Sequence, residues 1–130
     1  LNSTTVIGGD LLALNGSVVD VMSASLTGVN FEGLMNLRNA RTLTITDSIT
    51  NNGAIVVNPE ASVSATQISF ANDGALNGNG SVELNSFGSR ARIIAAPGVT
   101  VTNPSTHTIF GRGQIEATLI NNGLIRSDVL

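Results

Sequence analysis

The chain has 130 residues, 42% of them hydrophobic, 12% charged and 3% aromatic, with a formal net charge of −3. The apolar share is that of a folded protein and the charged share is about half the usual ~25%, the reverse of a disordered chain. A sequence pI of about 4.8 and the lack of a basic stripe argue against nucleic acid. No apolar run approaches the ~18 residues of a membrane helix. The absence of cysteine removes disulfides and thiolate zinc sites and leaves the redox compartment open.

The chain opens Leu1-Asn2-Ser3-Thr4, with no positive leader region and no initiator Met, as expected of a mature product or a fragment of a longer protein. Residues 1–130 read as one domain, with 1–15 as a candidate cap. Ile7-Gly8-Gly9-Asp10 holds half of a calcium-binding Gly-Gly-x-Gly-x-Asp repeat, but occurs once and lacks the second Gly, so a turn is expected. Phe31, Leu34, Met35 and Leu37 have helical spacing, yet Gly28 and Gly33 interrupt it and strand is expected. Further on the period is two: Leu43 and Ile45 alternate with Thr42, Thr44 and Thr46, and Ile55/Val57, Ile68/Phe70, Val82/Leu84 and Val99/Val101 continue it. Abundant Gly, Ser, Thr and Asn disfavour helix and suit short strands with tight turns.

One heptad occurs three times, as residues 49–55, 70–76 and 119–125, with a degenerate copy at 94–100 around Gly98. Its centre is Asn51-Asn52-Gly53, Asn72-Asp73-Gly74 or Asn121-Asn122-Gly123. Asn and Gly tolerate the left-handed backbone of a sharp corner, and the flanking aliphatics turn inward. A second motif, Gly78-Asn79-Gly80-Ser81-Val82-Glu83-Leu84, returns as Gly111-Arg112-Gly113-Gln114-Ile115-Glu116-Ala117, out of step with the first. That mismatch predicts an insertion near 86–90 or 103–107. Short strands between such corners predict a coil of about five to six turns, on the order of 25–30 Å long, whose stacked turns share one core. Asn–Gly is also a hairpin turn, so an antiparallel β-sandwich is the alternative.

Residues 111–125 resemble the GxGxI…NNGxI repeat of large bacterial surface proteins: autotransporter passengers and filamentous-haemagglutinin-like adhesins. The resemblance covers residues 40–130 well and 1–40 loosely. It implies a right-handed parallel β-helix, an extracellular or cell-surface location and an adhesive or stalk role. Under it the chain is a structural segment binding a glycan or host surface through its outer faces; separately, the unpaired strand edges of the end turns predict association with another copy through the solenoid ends, or a cap formed by 1–15. The resemblance carries no catalytic residue across, and neither cofactor nor metal is expected.

The candidate sites follow from the repeats. Glu83 and Glu116 hold the same place in the second motif; on neighbouring turns their carboxylates would lie ~5 Å apart, as in a retaining glycosidase. That is the basis of an alternative function, a polysaccharide-degrading enzyme on a β-helix. The alternation instead points both to solvent. Arg90, Arg92 and Arg112 are candidate contacts for a glycan or acidic partner. His107, the lone histidine, is expected on an exposed loop or strand. The rows Thr42/Thr44/Thr46 and Thr100/Thr102 raise a third function, an ice-binding face, which needs the row repeated on successive turns; Val56, Asn58, Ser64 and Ser69 are expected to interrupt it.

Overall fold

The alternating segments become eighteen short strands in the computed structural model, which describes residues 1–86 and 90–128. They come in threes, each three making one turn of a coil. The first rung is β1 (Asn2–Ile7), β2 (Asp10–Leu12) and β3 (Val18–Val21); the second is β4 (Ser23–Thr27), β5 (Asn30–Glu32) and β6 (Leu34–Leu37). The third is β7 (Thr42–Ile45), β8 (Ile49–Asn51) and β9 (Ala54–Val57); the fourth is β10 (Thr66–Phe70), β11 (Gly74–Asn77) and β12 (Ser81–Asn85). The fifth is β13 (Ala91–Ala95), β14 (Thr100–Asn103) and β15 (Thr108–Arg112); the sixth is β16 (Gln114–Glu116), β17 (Thr118–Asn121) and β18 (Leu124–Ser127).

Each strand pairs with the strand three places on. The result is three six-stranded sheets: β1-β4-β7-β10-β13-β16, β2-β5-β8-β11-β14-β17 and β3-β6-β9-β12-β15-β18. Every pairing among the described strands is parallel, so the fold is a parallel β-helix of six rungs and the antiparallel sandwich is excluded. Residues 1–15 form the first two strands and the turn after them. The segment around Phe31–Leu37 is strand, in β5 and β6.

The core is a set of columns running from rung to rung. In the first sheet Ala24, Leu43, Ile68, Ile93 and Ile115 stack in register. In the third sheet Met35, Ile55, Val82, Ile109 and Ile125 do the same. Leu43, Ile55, Ile68, Val82 and Ile93 are all fully buried. Each such side chain contributes about 1.5–3 kcal/mol through removal from water. No rung buries its apolar face without its neighbours.

The corners depart from the sequence reading in two ways. The three heptads do not form one column: 49–55 and 119–125 turn from the second sheet to the third, whereas 70–76 turns from the first to the second. Nor do their glycines serve a left-handed backbone. Gly53, Gly74 and Gly123 have no positive φ, and neither do their Asn and Asp neighbours. They are glycines because the next rung is too close: a β-carbon would overlap the backbone oxygen of Gly33 at position 53, of Asp47 at 74 and of Pro104 at 123. Of the two candidate insertions, 103–107 is a longer corner between β14 and β15, while residues 87–89 of the other lie outside the described residues.

Two alanine substitutions separate the two roles of glycine. Gly74→Ala forces rungs apart and should cost about 3 kcal/mol in urea unfolding, as overpacking does. Gly98→Ala meets open space at a φ of +81° and should cost only the left-handed penalty of about 1–2 kcal/mol. Equal losses would contradict the close-approach explanation.

Candidate functional site

Alternate residues of each strand face outward, so each sheet presents columns of side chains about 4.8 Å apart. On the second sheet Asp10 is paired with Asn30 and Leu12 with Glu32, while Phe31 between them points into the core. Asn30 Nδ2 donates to Asp10 Oδ1 at 3.0 Å. The Asn52 amide continues the row at the corner, its Oδ1 accepting from the Asn79 backbone N–H at 3.3 Å. Asp10, Leu12, Asn30, Phe31, Glu32 and Asn52 line an open groove of about 490 Å³. Two carboxylates, two amides and an aliphatic wall can take a hydroxyl-rich ligand. The sequence reading missed this groove, because its members belong to different rungs.

The first sheet carries hydroxyls. Thr5, Ser25, Thr44 and Ser69 stack as one outward column over four rungs, followed by Ile94 and Glu116. Ser25 Oγ and Thr46 Oγ1 lie 3.2 Å apart. Of the expected interruptions, Ser69 extends the column. Val56 belongs to β9 in the third sheet, and Asn58 and Ser64 lie in the connection before β10.

The two carboxylates singled out by the repeat are not brought together. Glu83 sits in β12 on the third sheet, opposite Val56 and Phe110; Glu116 sits in β16 on the first, opposite Ile94. The shared motif marks two different corners. Glu116 Oε1 receives Arg92 Nη1 at 3.3 Å, and Arg92 Nη2 donates to Gln67 at 2.8 Å, so Arg92 bridges three rungs. The arginines are dispersed as well. Arg90 precedes β13 and is exposed, with its backbone N–H on Ser86 Oγ. Arg112 ends β15 and shares a small groove with Glu83, Asn85 and Asp128. A second bridging ion cluster was not foreseen: Arg38 grips both Asp20 oxygens, at 2.9 and 3.1 Å, and Glu60 at 2.7 Å. Arg38 holds the Glu60 carboxyl below its ordinary value.

His107 is buried, not exposed. It fills the inside of the corner between second and third sheets, in an amide network. Asn51 Oδ1 accepts from Gly53 N–H at 3.1 Å, which leaves Asn51 Nδ2 to donate to Ser81 O at 3.0 Å and to His107 Nε2 at 3.1 Å. Asn103 Nδ2 donates to Asn121 Oδ1 at 2.8 Å, so its Oδ1 takes the His107 Nδ1–H at 2.9 Å. This pattern assigns the neutral ring with its proton on Nδ1. Burial pushes its pKa down from 6.5 to about 4. The network spans the third to sixth rungs and is a structural device. No group of three or more metal-ligating side chains occurs among the described residues. No family model matches the chain, and neither a curated protein nor a solved structure matches it.

The His107 assignment has a measurable sign. A lowered folded pKa means that the unfolded chain takes up the proton first. The contribution is complete above pH 6.5 and is lost as pH falls toward 4, with the Glu60 contribution falling away only below its ordinary value of 4.5. Stability should drop by about 2 kcal/mol between pH 7 and pH 5. His107→Leu should flatten that window and, by stranding two buried amides, cost about 2–4 kcal/mol at pH 7. Urea titrations at both pH values check this; an unchanged slope in the variant would count against the assignment.

Proposed function

We propose that the chain is a structural or adhesive β-helical segment of a secreted or cell-surface bacterial protein, binding a glycan or host surface through its outer faces. The observation that carries the reading is the second-sheet groove, where Asp10, Asn30, Glu32 and Asn52 offer donors and acceptors beside the exposed Leu12. The likeness of residues 111–125 to surface-protein repeats supports the location. The mechanism is passive: stacked backbone hydrogen bonds hold the rod stiff, and shallow polar rows make many weak contacts along it.

For these 130 residues taken as an isolated segment, the end rungs suggest a second mode of contact. The first rung exposes Ile7, Leu12, Leu14 and Val18, and the last exposes Ile120, Leu124 and Ile125. All strands run one way, so the free edge of β16–β18 can receive the free edge of β1–β3 from another copy, a head-to-tail contact that does not close. A different reading, an ice-binding face, is favoured by the hydroxyl column Thr5–Ser25–Thr44–Ser69.

A glycan array should return binding that falls at least about tenfold in Glu32→Gln combined with Asn30→Ala, a loss of about 1.4 kcal/mol. Binding unaffected by the pair would remove the groove from the reading. Sedimentation velocity should show association that grows with concentration and weakens in Leu124→Lys; a strict monomer in the millimolar range would end the head-to-tail mode. Thermal hysteresis abolished by Thr44→Lys, without glycan binding, would select the ice-binding reading.

A further inference from the structure

The sequence holds five Asn–Gly pairs, at 15–16, 52–53, 77–78, 79–80 and 122–123. Such a pair is chemically labile because the unhindered glycine nitrogen can attack the asparagine side-chain carbonyl. The reaction needs that nitrogen free and the Asn backbone able to rotate. Where the N–H is held in a hydrogen bond, the bond must open first.

The fold treats the five pairs unequally. Gly53 N–H is bound to Asn51 Oδ1 at 3.1 Å. Gly80 N–H is bound to Asn51 O at 2.8 Å, and Gly123 N–H to Asn103 O at 3.1 Å. Asn77 is fixed in β11 opposite Thr50, and Gly78 is wedged against the Asn51 backbone. Asn15–Gly16, like the pairs at 52–53, 79–80 and 122–123, lies between strands, but in the first rung and away from the stacked corners that hold those three glycine nitrogens. It is the tip of a turn closed by Ser17 N–H to Leu14 O at 3.0 Å. Asn15 and Gly16 both have positive φ, 56° and 78°, and in a turn of that form the Gly16 N–H takes no part in the closing bond. Both residues are exposed, and the space around Gly16 is open.

We propose that Asn15 is a site of spontaneous deamidation, protected pairs elsewhere in the rod being spared by rung stacking. The Gly16 nitrogen loses its proton to solvent base and bonds to Asn15 Cγ. The bond from Cγ to the side-chain nitrogen breaks, and ammonia leaves carrying a proton from solvent. The five-membered imide that results is opened by water at either carbonyl. One opening gives aspartate, the other an isoaspartyl linkage with an extra methylene in the main chain. Either product places a new carboxylate on the exposed first rung, in the turn between β2 and β3.

The test is a peptide map by mass spectrometry after incubating the folded full chain at mildly alkaline pH, with a urea-unfolded sample alongside. In the folded protein, conversion at Asn15 should run at least about tenfold faster than at Asn52, Asn79 and Asn122, a ratio equivalent to about 1.4 kcal/mol of local opening. Unfolding should bring the rates together. Asn15→Gln should remove the early product and leave the other four positions unchanged. Equal rates at all positions in the folded protein, or a folded Asn15 slower than in urea by as much as the others, would overturn the proposal.

Discussion

The structure depends on the close approach of backbone to backbone where the chain turns between sheets. In-register parallel stacking places each corner directly on the one below it. At the corner between second and third sheets, a β-carbon on Gly53 would overlap Gly33 and one on Gly80 would overlap Gly53, so a glycine column is required there. Just inside it the chain has polar backbone to satisfy and no room for a strand pair. Asn51, His107, Asn103 and Asn121 supply the partners, joining rungs side chain to side chain. A buried amide network of this kind stabilises only when complete, since an unpaired member costs about 1–3 kcal/mol. Here every amide and ring nitrogen at its centre has a partner.

The same stacking explains the low charge. An outward residue has a neighbour in the same column ~4.8 Å above and below, so a repeated charge would repel itself along the whole rod. Where ion pairs do form across rungs, the signs alternate from one rung to the next. Asp20, Arg38 and Glu60 form one such bridge, and Arg92 with Glu116 another. These bridges are partly exposed and individually worth little. Their value is in register, because each pairing can form only with its rungs correctly aligned. Uncharged Thr, Ser and Asn carry many of the remaining outward positions without that constraint.

Period-two alternation made the strands and the inward residues legible, because it reports burial of one face locally. Asn–Gly made corners legible for the same reason. What it could not report was which of three corners each heptad occupies: 49–55 and 70–76 look alike but turn at different edges of the coil. That ambiguity placed Glu83 and Glu116 together on paper when the fold puts them on separate sheets. It also hid the second-sheet groove, whose residues become neighbours only after the register is known. His107 misled differently. A lone histidine with no second His or Ser–Asp pair nearby in sequence reads as exposed, and its decisive partner Asn51 is 56 residues away. At Gly53, Gly74 and Gly123 the residue type suits a corner because of steric contact between rungs, whereas Gly98 of the degenerate copy has the left-handed backbone expected.

A rod with three sheets has three chemically separate faces, and here they differ. The first sheet is hydroxylic over its first four rungs and turns charged and aliphatic over the last two, with Ile94 and Glu116. The second carries the acid–amide groove at its first rungs. The third has two outward columns, an aliphatic one through Val18, Leu34 and Ala54 and a mixed one that runs Asp20, Asn36, Val56, Glu83, Phe110 and Arg126. Arg126 lies over the Phe110 ring at 5.2 Å, so even there the charge rests on an apolar surface. A partner that grips this protein therefore reads one face at a time. The backbone coil contributes spacing and stiffness, and the outward columns contribute the chemistry. Single substitutions on one face should consequently leave the other two intact, a separability that a site built inside a cavity does not have.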